Sequence, residues 1–201
     1  MASNSYYDID AILTDAQKVP CTFELTVPGL GYLDGNAGQD MKQGTKVELP
    51  LWLGEMLAVS SPAAGTSMAT LDLPAALSAR VVNALKADSR TVDLRALAPH
   101  FFTLGARMLE LFEEEEMGDI LSESFKARAK VIADQAHNPR GALGEGADFL
   151  RGLDESERQC RLGLDHVDES WLMVWQYSEQ LTTAQKQSAC GWRKTRPNKS
   201  N

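Results

Sequence analysis

No stretch of this 201-residue chain approaches the ~20 consecutive apolar residues that a membrane-spanning helix needs. Its opening, Met1 to Asp10, also lacks the basic and then apolar order of a secretory signal. Cysteine is scarce and odd in number: Cys21, Cys160 and Cys190 stand far apart. That pattern points away from a disulfide framework and towards reduced thiols in the cytosol or nucleus. Histidine is equally scarce. His100, His137 and His166 are paired with no Cys or His at metal-ligand spacing, so no metal site is expected. Phosphate-loop, serine-hydrolase and kinase signatures are absent as well. Gly29-x-Gly31-x-x-x-Gly35 is superficially like a dinucleotide-binding turn, but its last spacing is one residue too long and no helix clearly opens there. These absences predict a chain that is not an enzyme and carries no cofactor.

Basic residues are outnumbered, with 20 Lys and Arg against 28 Asp and Glu and a net charge of −8. Nucleic-acid binding normally needs a basic surface that displaces phosphate counterions. Work on DNA is therefore expected to pass through partners, with direct DNA contact left open. The one basic cluster, Arg193-Lys194-x-Arg196-x-x-Lys199, reads equally as a nuclear-import signal, a weak DNA contact or a solubilising end.

What is present is enough apolar material for a core: 43% of residues are hydrophobic and 24% charged. The pattern has two regimes. Up to Pro74, Gly and Pro punctuate short segments. Residues 8–13 read as one or two helical turns with an acidic start. Residues 22–27 read as a strand with Phe23, Leu25 and Val27 on one face, residues 30–33 as a possible second, and residues 46–49 as another. Pro50 suits a helix start, after which Leu51, Trp52, Leu53, Met56 and Leu57 supply an apolar face. Residues 68–73 close the regime as a last possible strand.

Beyond Pro74 the period becomes helical. Leu77, Val81 and Leu85 are four apart; Asp93 suits an N-cap; and a longer helix begins at Pro99 with Phe101, Phe102, Gly105, Met108 and Phe112 inward. Leu121, Phe125, Ala129, Ile132 and Ala136 mark the next helix. A final stripe runs through Leu150, Leu153, Cys160, Leu164, Val167, Trp171 and Val174, apart from a step over Glu157. The predicted fold is mainly α: a small β-rich domain over residues 1–74, a larger α-helical bundle domain over 75–190, and a basic tail over 191–201 expected to fray.

Few residues suggest chemistry. Asp165, His166, Asp168 and Glu169 put a histidine among carboxylates, the one basis for an enzyme reading, yet a solvated helix face accounts for them. The run Glu113 to Glu116 favours the N-terminus of the helix that follows it. The candidate interface or core residues are Leu49, Pro50, Leu51, Trp52 and Leu53, then Pro99, His100, Phe101 and Phe102, then Trp171 and Trp175. A module so small cannot cover all its apolar surface and offers the remainder to a partner.

The segment Gly44-Thr45-Lys46-Val47-Glu48-Leu49-Pro50-Leu51-Trp52-Leu53 closely resembles the signature of the third Psf-type subunit of the GINS family. Ile9-Asp10-Ala11-Ile12-Leu13, Lys18-Val19-Pro20-Cys21, Leu71-Asp72-Leu73-Pro74 and Val92-Asp93-Leu94 with Pro99-His100-Phe101-Phe102 extend the likeness in order. The second Psf type shares a similar proline-leucine-tryptophan-leucine element and is the nearest alternative; a generic helical adaptor is another. The resemblance implies a B-type small domain before an A-type helical domain. It further implies a nuclear, non-catalytic subunit of a heterotetramer acting in DNA replication. The implied partners are the other three GINS subunits and, through them, the Mcm helicase hexamer, the Cdc-forty-five protein and the leading-strand polymerase.

Overall fold

The computed structural model describes residues 7–60, 67–112, 114–137 and 146–164 and falls into two compact units. The first unit ends at Pro74 and the second begins at Ala75.

In the first unit, α1 (Ile9–Asp15) starts where the Asp8 carboxylate accepts the Asp10 N–H, as an N-cap does. A three-stranded antiparallel sheet follows in the order β2-β1-β3. Its strands are β1 (Lys18–Phe23), β2 (Lys46–Pro50) and β3 (Ala69–Leu71). The central strand alternates, with Val19, Cys21 and Phe23 buried. It starts earlier and stops sooner than the pattern of residues 22–27 suggested. Pro20 is tolerated inside it because the pairing with β3 stops at Cys21↔Leu71, and the Pro20 carbonyl accepts the Asp72 N–H just past that end. Beyond Phe23 the chain leaves the sheet, and Val27 makes only an isolated antiparallel bridge to Met41.

Residues 30–33, read above as a possible strand, instead enter a short 3₁₀ turn, Gly31–Asp34. The reason is a close backbone approach at Gly31. A Cβ there would lie 2.4 Å from the Gln39 carbonyl oxygen and 2.6 Å from that of Asn36. The Gly31 N–H donates to Gln39 and its carbonyl accepts from Asn36, which folds the loop on itself.

Helix α2 (Leu51–Val59) leaves β2 without a loop, Pro50 ending the strand and serving as the helix N-cap. It lies on the sheet through Gly54, whose missing Cβ leaves room for Leu71 and the Cys21 thiol. The core beneath it is Cys21, Phe23, Met41, Leu49 and Ala69, with Leu53, Leu57 and Leu71 packed around it.

The second unit holds α3 (Ala79–Asp88), α4 (Leu94–Leu97), α5 (Phe101–Leu111), α6 (Glu115–His137), α7 (Gly146–Arg151) and α8 (Glu155–Leu164). Helix α6 is the centre, packed by α3, α5 and α8. Phe102 meets Phe101 and Phe125 edge to face, with centroids 5.5 and 5.0 Å apart. Gly105 of α5 lets Leu121 of α6 close in. The final stripe is not one helix: it breaks after Arg151 and restarts at Glu155, and Glu157 lies inside rather than at a skipped surface position.

What Glu157 meets there is Arg128 of α6. Both side chains are fully buried. Arg128 Nε and Nη2 hold the two Glu157 carboxylate oxygens at 2.6 and 3.0 Å. Its Nη1 donates to the carbonyls of Ser89 and Val92 in the α3–α4 connection, and Nη2 also to that of Gly152 between α7 and α8. Phe149 of α7 stacks on the guanidinium, 4.8 Å from ring centroid to Cζ. One side chain thus ties three stretches of chain to the central helix.

Removing one partner of a buried ion pair leaves the other charge unsatisfied. Arg128→Met is expected to lower the unfolding free energy by ~3–5 kcal/mol, whereas Arg128→Met with Glu157→Leu costs clearly less. Urea unfolding of both variants checks this, and a double variant as unstable as the single one would contradict it.

Candidate functional site

The signature around Trp52 is split by the helix it starts. Leu49 and Leu51 are buried, and Leu53 packs on the sheet core. Pro50 is half-buried at the strand-to-helix junction, where the Leu51 N–H donates to the Gln17 carbonyl. Trp52, in contrast, is 49% exposed, and Met56 and Val59, four and three residues further along, are 64% and 75% exposed. These three share the outer stripe of α2 because steps of four and three return to one helix face. The apolar face of α2, expected to serve core or interface, thus divides between an inner and an outer side.

Helix α1, which packs against α2, carries a second outer stripe: Ile9, Ile12 and Leu13 are all about half exposed or more. Two short helices and three strands cannot bury every apolar side chain they carry. Exposed large apolar residues concentrate on this unit, while in the helical unit only Leu97 and Leu162 are comparable among the described residues. Apolar density of this kind, on helices held by a closed core, suits protein association.

The second candidate group, Pro99 to Phe102, has another role. Phe101 and Phe102 are fully buried and His100 nearly so, while Pro99 is exposed. They start α5, and their backbone is captured by the start of α8. Asp154 Oδ2 accepts the Phe102 N–H at 3.1 Å, and the Pro99 carbonyl accepts the Glu155 N–H at 2.9 Å. Asp154 Oδ1 accepts the Glu157 N–H at 2.8 Å, while Glu157 Oε2 accepts the Asp154 N–H at 3.1 Å. That reciprocal pair is a capping box, formed here with Asp as the N-cap residue. One carboxyl group therefore caps two helices.

Burial in this cluster, and then the Glu157 carboxylate beside it, push the Asp154 carboxyl up to about 7, against the pull of two backbone donors and Arg128. Burial likewise raises the Cys160 thiol to about 11, with help from Asp154 and Glu157. It also raises Cys21. Protonated thiols of this kind are poor nucleophiles and poor metal ligands.

Trp171 and Trp175, along with Asp165, His166, Asp168, Glu169 and the basic tail, lie outside the described residues. The candidate residues that are described sit at separate places: the Trp52 stripe on the first unit, the Phe101–Phe102 pair in the core of the second. Among the described residues no group of three or more His, Cys, Asp or Glu converges to hold a metal ion. No described helix is long and apolar enough to cross a membrane. The sequence reading missed Arg128, Asp154 and Glu157. The available signal was the Asp-x-x-Glu spacing of a capping box at residues 154–157, interrupting an apolar stripe.

Comparison with known proteins bears on both units. Residues 7–59 match the PSF3 N-terminal domain family, and residues 76–160 match the GINS complex protein helical bundle domain family. A Phaeosphaeria nodorum protein named DNA replication complex GINS protein PSF3 is 78% identical over 156 residues, 78% of this chain and 87% of its own length. The Aspergillus fumigatus protein of that name is 69% identical over 172 residues, covering 85% and 96% of the two chains. Its Schizosaccharomyces pombe counterpart is 39% identical over 173 residues, covering 86% and 98%.

Two outcomes follow from this geometry. With the Asp154 carboxyl raised above its ordinary value near 3.8, the folded chain holds a proton that the unfolded chain releases. Its contribution to stability is full below pH ~4 and is lost as pH rises towards 7. Urea midpoints at pH 5 and pH 7.5 should show this decline, and Asp154→Asn should flatten it while weakening the cap on Phe102. On the first unit, Trp52→Gln is expected to cost about 1 kcal/mol or less, against ~3–5 kcal/mol for Phe102→Ala. Thermal unfolding of the two variants separates a surface tryptophan from a core phenylalanine.

Proposed function

The chain belongs to the PSF3 family of GINS complex proteins, and from that premise we propose that it is a non-catalytic structural subunit of the GINS heterotetramer. In this reading it acts in the nucleus and supports the assembly and activity of the eukaryotic replicative helicase during initiation and elongation. The observation that carries the reading is the pair of family matches, one on each unit and in this order along the chain. The alternative of a second Psf type is set aside, because the match over residues 7–59 is to the PSF3 N-terminal domain.

The two units serve different contacts. Residues 1–74 act as the B-type small domain, residues 75–190 as the A-type helical domain, and 191–201 as a basic tail. The three other GINS subunits are the direct partners; the Mcm hexamer, the Cdc-forty-five protein and the leading-strand polymerase are reached through them. The outer stripes of α1 and α2 support this division, since a half-exposed Trp52 flanked by Met56 and Val59 is the type of aromatic anchor that dominates protein interfaces. The net charge of −8 also fits a chain that meets DNA chiefly through partners.

Co-expression with the other three GINS subunits, followed by size-exclusion chromatography and mass determination, tests the proposal. A stable complex with one copy of each subunit is expected, with the lone chain poorly soluble by comparison because permanent interfaces resemble a core cut in half. A lone chain that stays folded and monomeric at high concentration, and joins no complex, would overturn it.

A further inference from the structure

In a chain whose net charge is −8, four arginines gather around one cavity of the helical unit. The cavity measures about 520 Å³ and takes Arg95 from α4, Arg151 from the end of α7, and Arg158 and Arg161 from one face of α8. Its lining also includes leucines: Leu153 is buried and Leu162 is 71% exposed. Both the charge and the apolar content are specific. No lysine contributes, and the guanidinium fork is the cation that binds a carboxylate through two parallel hydrogen bonds.

Among the described residues the positive charge is only partly answered. Arg95 stands 3.5 Å from Glu155 and Arg151 3.5 Å from Asp148, both partly or largely exposed pairs of the kind that exchange readily for a better acceptor. Arg158 and Arg161 have no carboxylate partner among the described residues. Their backbone is nonetheless fixed, because α8 is anchored at its start by the Asp154–Glu157 capping box and by Arg128. The arginines thus project from a held scaffold.

We propose that this cavity is a docking site for a short acidic segment of a partner protein from outside the GINS assembly, one that alternates Asp or Glu with leucine-like side chains. Carboxylates would pair with Arg158 and Arg161, while an apolar side chain covers Leu162 and reaches towards Leu153. Charge complementarity selects an acidic occupant. The leucines favour a peptide over a nucleic-acid backbone, which offers phosphates but no aliphatic groups to the cavity. Clusters of arginine are a recurring means of recognising acidic motifs, and contacts made through partly exposed guanidiniums are salt-sensitive, as those of a transient partner are.

The test uses the assembled tetramer and a fluorescein-labelled short peptide alternating Asp and Glu with Leu. Its counterpart with Asn and Gln in place of the acids, and a single-stranded oligonucleotide, serve as competitors. Fluorescence anisotropy should report binding of the acidic peptide that weakens with added salt. The binding should fall roughly tenfold or more in the tetramer carrying Arg158→Gln and Arg161→Gln. Arg151→Gln, at a largely exposed position, gives a second readout should the double variant assemble poorly, and a smaller loss is expected there. Equal binding of the neutral peptide, or unchanged affinity in the variants, would overturn the proposal. Tighter binding of the oligonucleotide, lost in the double variant, would reassign the cavity to nucleic acid. A tetramer that assembles but binds no peptide, with assembly itself weakened by the double variant, would assign the arginines to a fellow subunit. Either of the last two results sinks this proposal alone and leaves the subunit reading standing.

Discussion

The helical unit depends on satisfying one buried guanidinium. A charge removed from water carries a desolvation cost of several kcal/mol, repaid only if its hydrogen-bonding capacity is met by well-placed acceptors. Arg128 offers five N–H donors, and five acceptor contacts receive them: two oxygens of Glu157 and the carbonyls of Ser89, Val92 and Gly152. That requirement dictates local structure well away from α6. It places the α3–α4 connection with its carbonyls inward, and it sets Gly152 between α7 and α8. It also draws Glu157 into the interior.

From that point the constraints pass along the chain. With Glu157 inside, its second oxygen is available to the Asp154 N–H, and Asp154 is fixed where it can cap both α8 and α5. The Gly152 carbonyl also accepts from the N–H groups of Leu94 and Arg95, so the start of α4 is tied to the same junction. The aromatic core of Phe101, Phe102 and Phe125 then forms on α5 and α6 with their ends already held. The raised Asp154 carboxyl follows first from burial and then from the Glu157 carboxylate beside it, with Arg128 pulling the other way.

The first unit is organised on the opposite principle. Its core is apolar and thin, with seven buried hydrophobic residues, and it has no buried ion pair among the described residues. Closing such a core leaves apolar stripes of α1 and α2 on the outside. A chain combining a helical unit built around a satisfied buried charge with an apolar-faced small one is physically suited to life within a larger assembly, in keeping with its family. The arginine-lined cavity adds a charged surface of a different kind on the helical unit.

Much of this was legible in the residues. The switch from strand to helix periodicity near Pro74, the Asp93 cap and the helices of Phe101 and Leu121 follow from local pattern, because helix and strand repeats are properties of neighbours in sequence. The structure decided what depends on distant neighbours. Pro20 could sit in a central strand only because β3 ends beside it, and residues 30–33 became a turn because Gln39 and Asn36 approach Gly31. Trp52 and Leu51 are adjacent and similarly apolar, yet one is half exposed and the other buried, since only the sheet beneath α2 defines which face is inside. Glu157 looked like a gap in an apolar stripe until Arg128, 29 residues away, supplied the charge that makes its burial possible.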